Sequence, residues 1–156
     1  MNKNIKLVAT DIDGVWTDAR MYYTEDGDFM KSFNTYDGMG VEMLRNKNIE
    51  TIIMTSENSN IVLKRAKKLK IKNVYIGEKN KLERLKKICS DKKIELNEVA
   101  YIGDDINDIE VLKIVGFSAL SNNSPIKNQI KVDYITEKKG GEGAFREFVE
   151  VILKEK

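Results

Sequence analysis

Polar side chains that could do chemistry stand just after four short apolar runs of this sequence. Asp11 and Asp13 follow the run LVAT, Thr55 follows TIIM, Lys81 comes shortly after NVYI, and Asp104 follows VAYIG. Side chains alternate along an extended chain, so the carboxylates of Asp11 and Asp13 would point the same way, which is costly without a cation. An exposed turn or a helix cap would explain the first acidic pair alone, but the recurrence after four runs argues against chance. The pattern therefore indicates a catalytic site built from carboxylates, a hydroxyl and an ammonium group.

These groups would meet if the apolar runs are strands that end at the same edge of a sheet, where ligands bind in open parallel sheets. Short β-rich runs alternate with longer amphipathic stretches, which predicts an α/β fold, a Rossmann-like three-layer sandwich with a mainly parallel sheet. The predicted strands are Lys6–Thr10, Glu50–Met54, Asn73–Ile76, Glu98–Ile102, Phe117–Ala119 and Asp133–Ile135. The predicted helices are Gly38–Asn46, Ser59–Leu69, Lys79–Asp91, Asn107–Val115 and Glu142–Lys154.

The segment 19–34 interrupts this alternation. Two β-prone runs flank Asp26-Gly27, a strong hairpin signal, so we expect a protruding β-hairpin between the first strand and the first helix. An isolated hairpin is marginal in water, and its apolar side chains need a partner surface: Tyr22, Tyr23, Phe29, Met30 and Phe33. That surface is either the core of the same chain or copies of the hairpin in an oligomer, and we favour the oligomer.

The composition excludes several classes of function. Histidine is absent, which removes serine–histidine–aspartate hydrolysis, phosphohistidine chemistry and histidine-bound zinc. Lys and Arg total 27 against 25 Asp and Glu, interspersed along the chain, so no nucleic-acid partner is expected. The basic run 64–72 is either the solvated face of a helix or an attractor for an anionic substrate. The apolar runs are too short to span a membrane, no export signal is evident, and the single cysteine, Cys89, fits a reducing cytoplasm.

The order D-x-D-G, Thr, Lys, G-D-D-x-x-D resembles the four signature motifs of the haloacid dehalogenase (HAD) phosphatases. The stretches DIDGVWTDARMYYTEDGDFMKSFNTYDG, AYIGDDINDIEVL and KKGGEGAFREFVE look like those of the phosphatases of 3-deoxy-D-manno-octulosonate 8-phosphate and of 2-keto-3-deoxynononate (KDN) or N-acylneuraminate 9-phosphate. The resemblance implies one HAD-like domain over residues 1–156 with no separate cap domain. It also implies a Mg²⁺ cofactor, a small phosphorylated sugar acid as substrate, and a homotetramer whose hairpins meet in a central barrel.

The resemblance assigns roles to the acidic residues. Asp11 would attack phosphorus to form an aspartyl-phosphate. Asp11 and Asp104 would bind Mg²⁺ through their side chains, and Asp13 through its backbone carbonyl. The side chain of Asp13 would protonate the leaving oxygen and later activate the attacking water. Asp105 and Asp108 have two open roles, either capping and orientation of the metal shell or direct ligation, and we favour Asp104 for contact with the ion.

The same resemblance assigns the phosphate-binding groups. Thr55 would donate a hydrogen bond and Lys81 a positive charge to the phosphoryl oxygens, over which charge spreads in the transition state. Family members usually continue the second motif with Gly. Ser56 stands there in this sequence, where it either adds a hydroxyl to the phosphate site or fills the turn.

Glu57 provides the clue to the sugar. The octulosonate enzymes commonly carry Arg at this point and the nonulosonate enzymes carry Glu, so we expect a 9-phosphononulosonate as substrate, with octulosonate 8-phosphate as the alternative. Glu57 would bind sugar hydroxyls or pair with a lysine such as Lys68. Three further candidates for the same entrance are Asn34, Thr35 and Arg65. The segment Gly140–Gly143 is either a tail that closes over a site, its own or a neighbour's, or the loop before the last helix.

Two functions from other classes compete with the phosphatase. Receiver domains also phosphorylate an aspartate with the help of magnesium, a hydroxyl and a lysine. Their acidic pair is adjacent and the acceptor lies on a later strand, whereas Asp11 and Asp13 are separated by one residue on the first strand. The second competitor is a non-catalytic regulatory tetramer, which the sequence leaves open.

Overall fold

The computed structural model describes residues 4–154, in which a six-stranded parallel sheet lies between two layers of helices. Its strands are β1 Leu7–Thr10, β4 Glu50–Met54, β5 Asn73–Tyr75, β6 Val99–Gly103, β7 Phe117–Leu120 and β8 Tyr134–Ile135. The helices are α1 Thr35–Arg45, α2 Asn60–Lys68, α3 Lys81–Lys92, α4 Ile109–Leu112 and α5 Ala144–Lys154, with 3₁₀ turns at Leu96–Glu98 and Ile106–Asp108. The α/β sandwich predicted from the sequence is confirmed.

The sheet has the order β5-β4-β1-β6-β7-β8, so β1 lies at its centre. All four residues of β1 are buried, as expected for a strand covered by helices on both faces. Val8 packs into one core with residues of α1, α2 and α5, whereas Leu7 and Ala9 pack into the other with residues of α3 and α4. The alternation of side chains along one strand thus builds both cores and fixes the three layers.

The predicted strands are all present, with bounds within one residue of the prediction. The predicted helix Asn107–Val115 is replaced by the 3₁₀ turn and the short α4. The carboxylate of Asp105 accepts a hydrogen bond from the amide of Ile106, and the turn takes up the residues that follow. Within residues 4–154, no helix combines the length and apolar character needed to cross a bilayer.

Strands β2 Tyr22–Thr24 and β3 Gly27–Met30 form the expected hairpin. They pair only with each other among the described strands. Tyr23 and Phe29 remain 62% and 67% exposed, and Met30 is also exposed, while Phe33 just beyond the hairpin packs against the core. The hairpin therefore carries an apolar surface that the described part of the chain does not cover.

Candidate active site

The carboxyl ends of the central strands bring the predicted groups together. Thr10 pairs in register with Ile53 of β4 and Ile102 of β6, so the three strands end at nearly the same level. Asp11 follows β1 directly, Thr55 follows β4 and Asp104 follows β6. These residues line a cleft of about 210 Å³ together with Asp13, Ala19, Ser56, Glu57, Asp105 and Asn107.

A buried lysine connects Asp11, which lines this cleft, to the fully buried Asp108. The ammonium group of Lys81, the first residue of α3, lies 2.9 Å from Oδ2 of Asp11 and 2.7 Å from Oδ1 of Asp108. Burial acts to lower the pKa of Lys81, but these two carboxylates outweigh burial and raise it. Lys81 therefore stays charged at neutral pH, where it can balance negative charge on Asp11 or on a phosphoryl group beside it.

Three buried carboxylates lie close together at the floor of the cleft. One oxygen each from Asp11, Asp104 and Asp108 lies within 4.8 Å of the others. Burial, and then the negative charge of Asp108, raise the pKa of Asp11 to about 7. Burial, and then the charges of Asp11 and Asp108, raise the pKa of Asp104 to about 8. Like charges held this closely out of water call for a cation, which lowers these pKa values by its own field.

Asp108 already uses both of its carboxylate oxygens within the protein. Oδ1 accepts hydrogen bonds from Lys81 and from the hydroxyl of Tyr101, and Oδ2 accepts from the backbone amides of Asp104 and Asp105. By contrast, no donor in residues 4–154 contacts the carboxylate of Asp104. Of the two roles left open for Asp108, the geometry therefore favours orientation of its neighbours over direct contact with an ion.

The loop after β1 is shaped to admit the second acidic cluster. Gly14 has a positive φ of 82°, and a Cβ atom at this position would lie 1.8 Å from Oδ2 of Asp104. A side chain is thus excluded both by the backbone conformation and by the close approach of the carboxylate. The glycine of the D-x-D-G motif therefore allows the carboxylate of Asp104 to pack directly against the backbone of the β1 loop.

The segment Gly140–Gly143 packs against the same loop of its own chain. The amide of Gly140 donates to the side chain of Asn123, and a Cβ at Gly140 would lie 2.1 Å from the carbonyl oxygen of Gly14. The amide of Gly141 donates to the carbonyl of Val15. Of the two interpretations of this segment, the structure supports the loop before the last helix, packed behind the β1 loop.

The second motif contributes two neighbouring hydroxyl residues, Thr55 and Ser56, which differ in burial and in hydrogen bonding. Thr55 is buried, and its amide donates to the carbonyl of Tyr75 on the neighbouring strand. The hydroxyl of Ser56 donates to the carbonyl of Glu78 and accepts a hydrogen bond from the side chain of Asn107. Ser56 thus links the second motif to the fourth and also lines the cleft, so both roles considered for it stay open.

The predicted sugar-binding residues do not all reach the cleft. Glu57 lines it. Asn34 caps α1 and donates to the carbonyl of Gly141, Arg65 lies over the ring of Phe33 at 5.7 Å, and Thr35 is the exposed first residue of α1. Asn34, Thr35 and Arg65 therefore form a neighbouring group outside the cleft of this chain.

No ion pair joins Glu57 to Lys68 in the described part of the chain. Glu57 precedes α2, whereas Lys68 is the exposed last residue of that helix. Nine residues at 1.5 Å rise each separate the two ends of α2 by about 12 Å. Instead, Glu57 acts electrostatically on Lys31, whose pKa burial tends to lower but which Asp13, Asp28 and Glu57 together raise.

Three residues at this site were not predicted from the sequence. Lys31 donates to Oδ1 of Asp13 over 2.7 Å, Tyr101 donates to Asp108, and Asn107 bonds Ser56. Asn107 could have been found from its place inside the G-D-D-x-x-D motif. Tyr101 reads as an ordinary apolar strand residue and Lys31 as the polar end of a hairpin, so neither carries a local signal.

Comparison with known proteins identifies similar chains. The sequence profile of the haloacid dehalogenase-like hydrolases matches residues 48–147. A 3-deoxy-D-manno-octulosonate 8-phosphate phosphatase of Haemophilus influenzae is 34% identical over 151 residues, covering 97% of this chain and 84% of the relative. The cobalt-bound structure of the Haemophilus influenzae phosphatase superimposes with a TM-score of 0.93 at 34% identity, covering 99% of this chain and 90% of that one. A Moraxella catarrhalis phosphatase in complex with magnesium ion, phosphate ion and a KDO molecule also gives 0.93, at 38% identity and 99% and 89% coverage.

Proposed function

The chain belongs to the haloacid dehalogenase-like hydrolases and is a phosphoric monoester hydrolase, and we propose that its substrate is 3-deoxy-D-manno-octulosonate 8-phosphate. The observation that carries the proposal is the arrangement of Asp11, Asp104 and Lys81 at the ends of the central strands, in a chain similar to octulosonate phosphatases over almost its whole length. We further propose that it acts as one domain without a separate cap.

In the proposed reaction, Asp11 is the nucleophile. An oxygen of its carboxylate forms a bond to phosphorus while the bond from phosphorus to the sugar oxygen breaks. The carboxyl group of Asp13 gives its proton to the departing sugar oxygen. A water molecule then attacks the aspartyl-phosphate and passes a proton to Asp13, which releases orthophosphate and restores Asp11.

The groups around the phosphoryl site support this assignment. Lys81 is held 2.9 Å from Asp11 with its charge secured by two carboxylates. Thr55 lines the cleft beside Asp11. We propose that the hydroxyl of Thr55 and the ammonium of Lys81 bind the transferring phosphoryl oxygens, whose charge is most developed in the transition state.

The cofactor is Mg²⁺, and the carboxylates of this site fit it. Asp11 and Asp104 are hard oxygen donors whose pKa values are raised by burial and by the negative charge of neighbouring carboxylates. We propose that Asp11 and Asp104 hold the ion through their side chains and Asp13 through its backbone carbonyl. A bound Mg²⁺ offsets the negative charge of the phosphate ester that an anionic nucleophile must approach.

The sequence favoured a 9-phosphononulosonate because of Glu57, but the similar proteins favour octulosonate 8-phosphate. Both the curated relative and the Moraxella structure described above are octulosonate phosphatases. The position of Glu57 in the cleft wall keeps the nonulosonate as a second candidate, since a carboxylate there can accept hydrogen bonds from a longer hydroxyl-bearing chain. A direct comparison of the rates at which the chain hydrolyses the two esters is therefore needed to decide between the two substrates.

We also propose that the hairpins assemble four chains into a homotetramer. The exposed apolar side chains of Tyr23, Phe29 and Met30 support an interface at this position, and copies of the same hairpin would offer them a matching surface. A cytoplasmic location is part of the proposal, supported by the single buried cysteine, Cys89.

The test measures phosphate release from octulosonate 8-phosphate and from KDN 9-phosphate with Mg²⁺ present. We expect at least a tenfold higher kcat/KM for the octulosonate ester, about 1.4 kcal/mol of discrimination. If the parent releases no more phosphate from either ester than the Asp11→Asn variant does, the proposed substrate class is contradicted. A higher kcat/KM for the KDN ester would instead identify a 9-phosphononulosonate as the substrate.

Glu57→Arg probes the sugar side of the same cleft. If Glu57 faces the sugar, the substitution should move the ratio of the two kcat/KM values toward the octulosonate ester by about tenfold to a hundredfold, the range of a charged hydrogen bond. Lys68→Ala serves as the matched control, because Lys68 lies at the far end of α2. An unchanged ratio would remove Glu57 from the specificity determinants.

A further inference from the structure

A lysine from the hairpin is buried against the proposed general acid. Lys31 comes directly after β3, and its side chain is 0% exposed although it carries a charge. Its ammonium group lies 2.7 Å from Oδ1 of Asp13 and 3.7 Å from Oδ2 of Asp28. Asp28 in turn accepts a hydrogen bond from the hydroxyl of Ser59, just before α2. The chain of contacts connects the hairpin, the β1 loop and the start of α2.

The two oxygens of Asp13 have different surroundings. Oδ1 accepts the hydrogen bond from Lys31, whereas Oδ2 is buried and has no hydrogen-bond partner in the described part of the chain. Asp13 also lines the cleft beside Asp11. Lys31 thus engages one oxygen of a carboxyl group that borders the cleft and whose other oxygen has no partner of its own among the described residues.

Stability alone gives a weak reason for this arrangement. Taking an ammonium group out of water is costly even beside a carboxylate, and apolar side chains of similar volume often serve the folded state as well. A long lysine side chain also loses conformational freedom when it is fixed. A buried lysine held against a partly exposed carboxylate at the edge of the cleft is better explained by the geometry that it imposes on that carboxylate.

We propose that Lys31 is a positioning residue that fixes the carboxylate of Asp13 for proton transfer to the leaving oxygen. The inference rests on the proposed function, since Asp13 transfers a proton only if the chain cleaves phosphate esters. Lys31 holds Oδ1 and so fixes the orientation of the whole carboxyl group, from which a proton passes to the sugar oxygen as the bond from that oxygen to phosphorus breaks. Because Lys31 belongs to the hairpin, the hairpin is then part of the catalytic geometry as well as a surface for assembly.

Comparing esters with different leaving groups distinguishes this positioning role from a merely structural one. The alkoxide released from a sugar phosphate is strongly basic and needs a proton as it departs, whereas nitrophenolate is weakly basic and departs without one. The value of kcat/KM reports the steps up to the release of the alcohol, so the later attack of water does not enter. Loss of the positioning should therefore slow the alkyl ester and spare the aryl ester.

The experiment compares Lys31→Met, Lys31→Arg and the parent on octulosonate 8-phosphate and 4-nitrophenyl phosphate with Mg²⁺. Lys31→Met should lower kcat/KM for the alkyl ester by about a hundredfold, the usual contribution of general acid catalysis. For the aryl ester the same substitution should lower kcat/KM by about tenfold or less. Lys31→Arg keeps the charge and should recover much of the lost rate. Lys86→Met removes a half-exposed lysine from an ion pair on α3 and serves as the control. It should leave kcat/KM unchanged for both esters.

The outcomes distinguish the inference from the proposed function. A parent that cleaves no octulosonate ester overturns the proposed substrate, and a simple alkyl phosphate that the parent does cleave then takes its place in the comparison. Equal losses on both esters in a folded Lys31→Met variant, or no loss on either, overturn the role of Lys31. A crystal structure of Lys31→Met gives a readout apart from activity: an unmoved Asp13 carboxylate also overturns it, and a displaced one supports it.

Discussion

Lowering the pH should weaken magnesium binding steeply, because protons compete with the ion for the carboxylates of Asp11 and Asp104. In the metal-free chain the pKa of Asp11 is raised to about 7 and that of Asp104 to about 8. Each carboxyl group must lose its proton before it can bind the ion. Below its pKa, a carboxyl therefore costs a factor of ten in the association constant for every unit of pH.

The two raised pKa values set the size and shape of this effect. From about pH 8.5 down to about pH 7.5, Asp104 dominates and the slope of log K against pH rises to about one; at lower pH both carboxyls contribute and the slope approaches two. Between about pH 6 and about pH 8.5 the association constant should rise by two to three powers of ten. A carboxyl with an ordinary pKa near 4 would give almost no dependence in this range.

Titration calorimetry in two buffers of different ionisation enthalpy measures both the affinity and the number of protons released. At about pH 6.5, binding should release between one and two protons, and at about pH 8.5 fewer than one. Asp104→Asn should weaken binding and remove the larger share of the release, while Asp91→Asn, an exposed acid paired with Lys87 on α3, should behave like the parent. An affinity that stays constant from about pH 6 to about pH 8.5 would refute the reasoning.

Three further predictions follow from the site and the hairpin. Asp11→Asn should reduce phosphate release to background, because an amide cannot form the acyl phosphate, while the circular dichroism spectrum stays that of the parent. Tyr101→Phe removes a buried hydroxyl that donates to Asp108 and should lower the free energy of unfolding by about 1–3 kcal/mol, measured by urea denaturation. Replacing both Tyr23 and Phe29 by Glu should convert a native mass of four chains to that of one by light scattering; a parent that is already monomeric would contradict the hairpin interface.

The acidic and hydroxyl parts of the site could be predicted because they depend on local pattern. Apolar runs of strand length identify β1, β4 and β6, and parallel strands end at the same edge of a sheet. Asp11, Thr55 and Asp104 each come directly after such a run, so naming the strands also placed these residues together. The six-stranded α/β sheet followed from the same alternation of runs.

The roles that the sequence left open depend on contacts between distant parts of the chain. Lys31 and Asp13 are 18 residues apart, and only the return of the hairpin onto the β1 loop brings their side chains to 2.7 Å. Glu57 and Lys68 are closer in sequence, yet the rigid length of α2 holds them apart. Sequence spacing determined which residues stand at the strand ends. The packing of the hairpin and helices decided which of those residues touch, because the direction of each side chain is set by the whole fold.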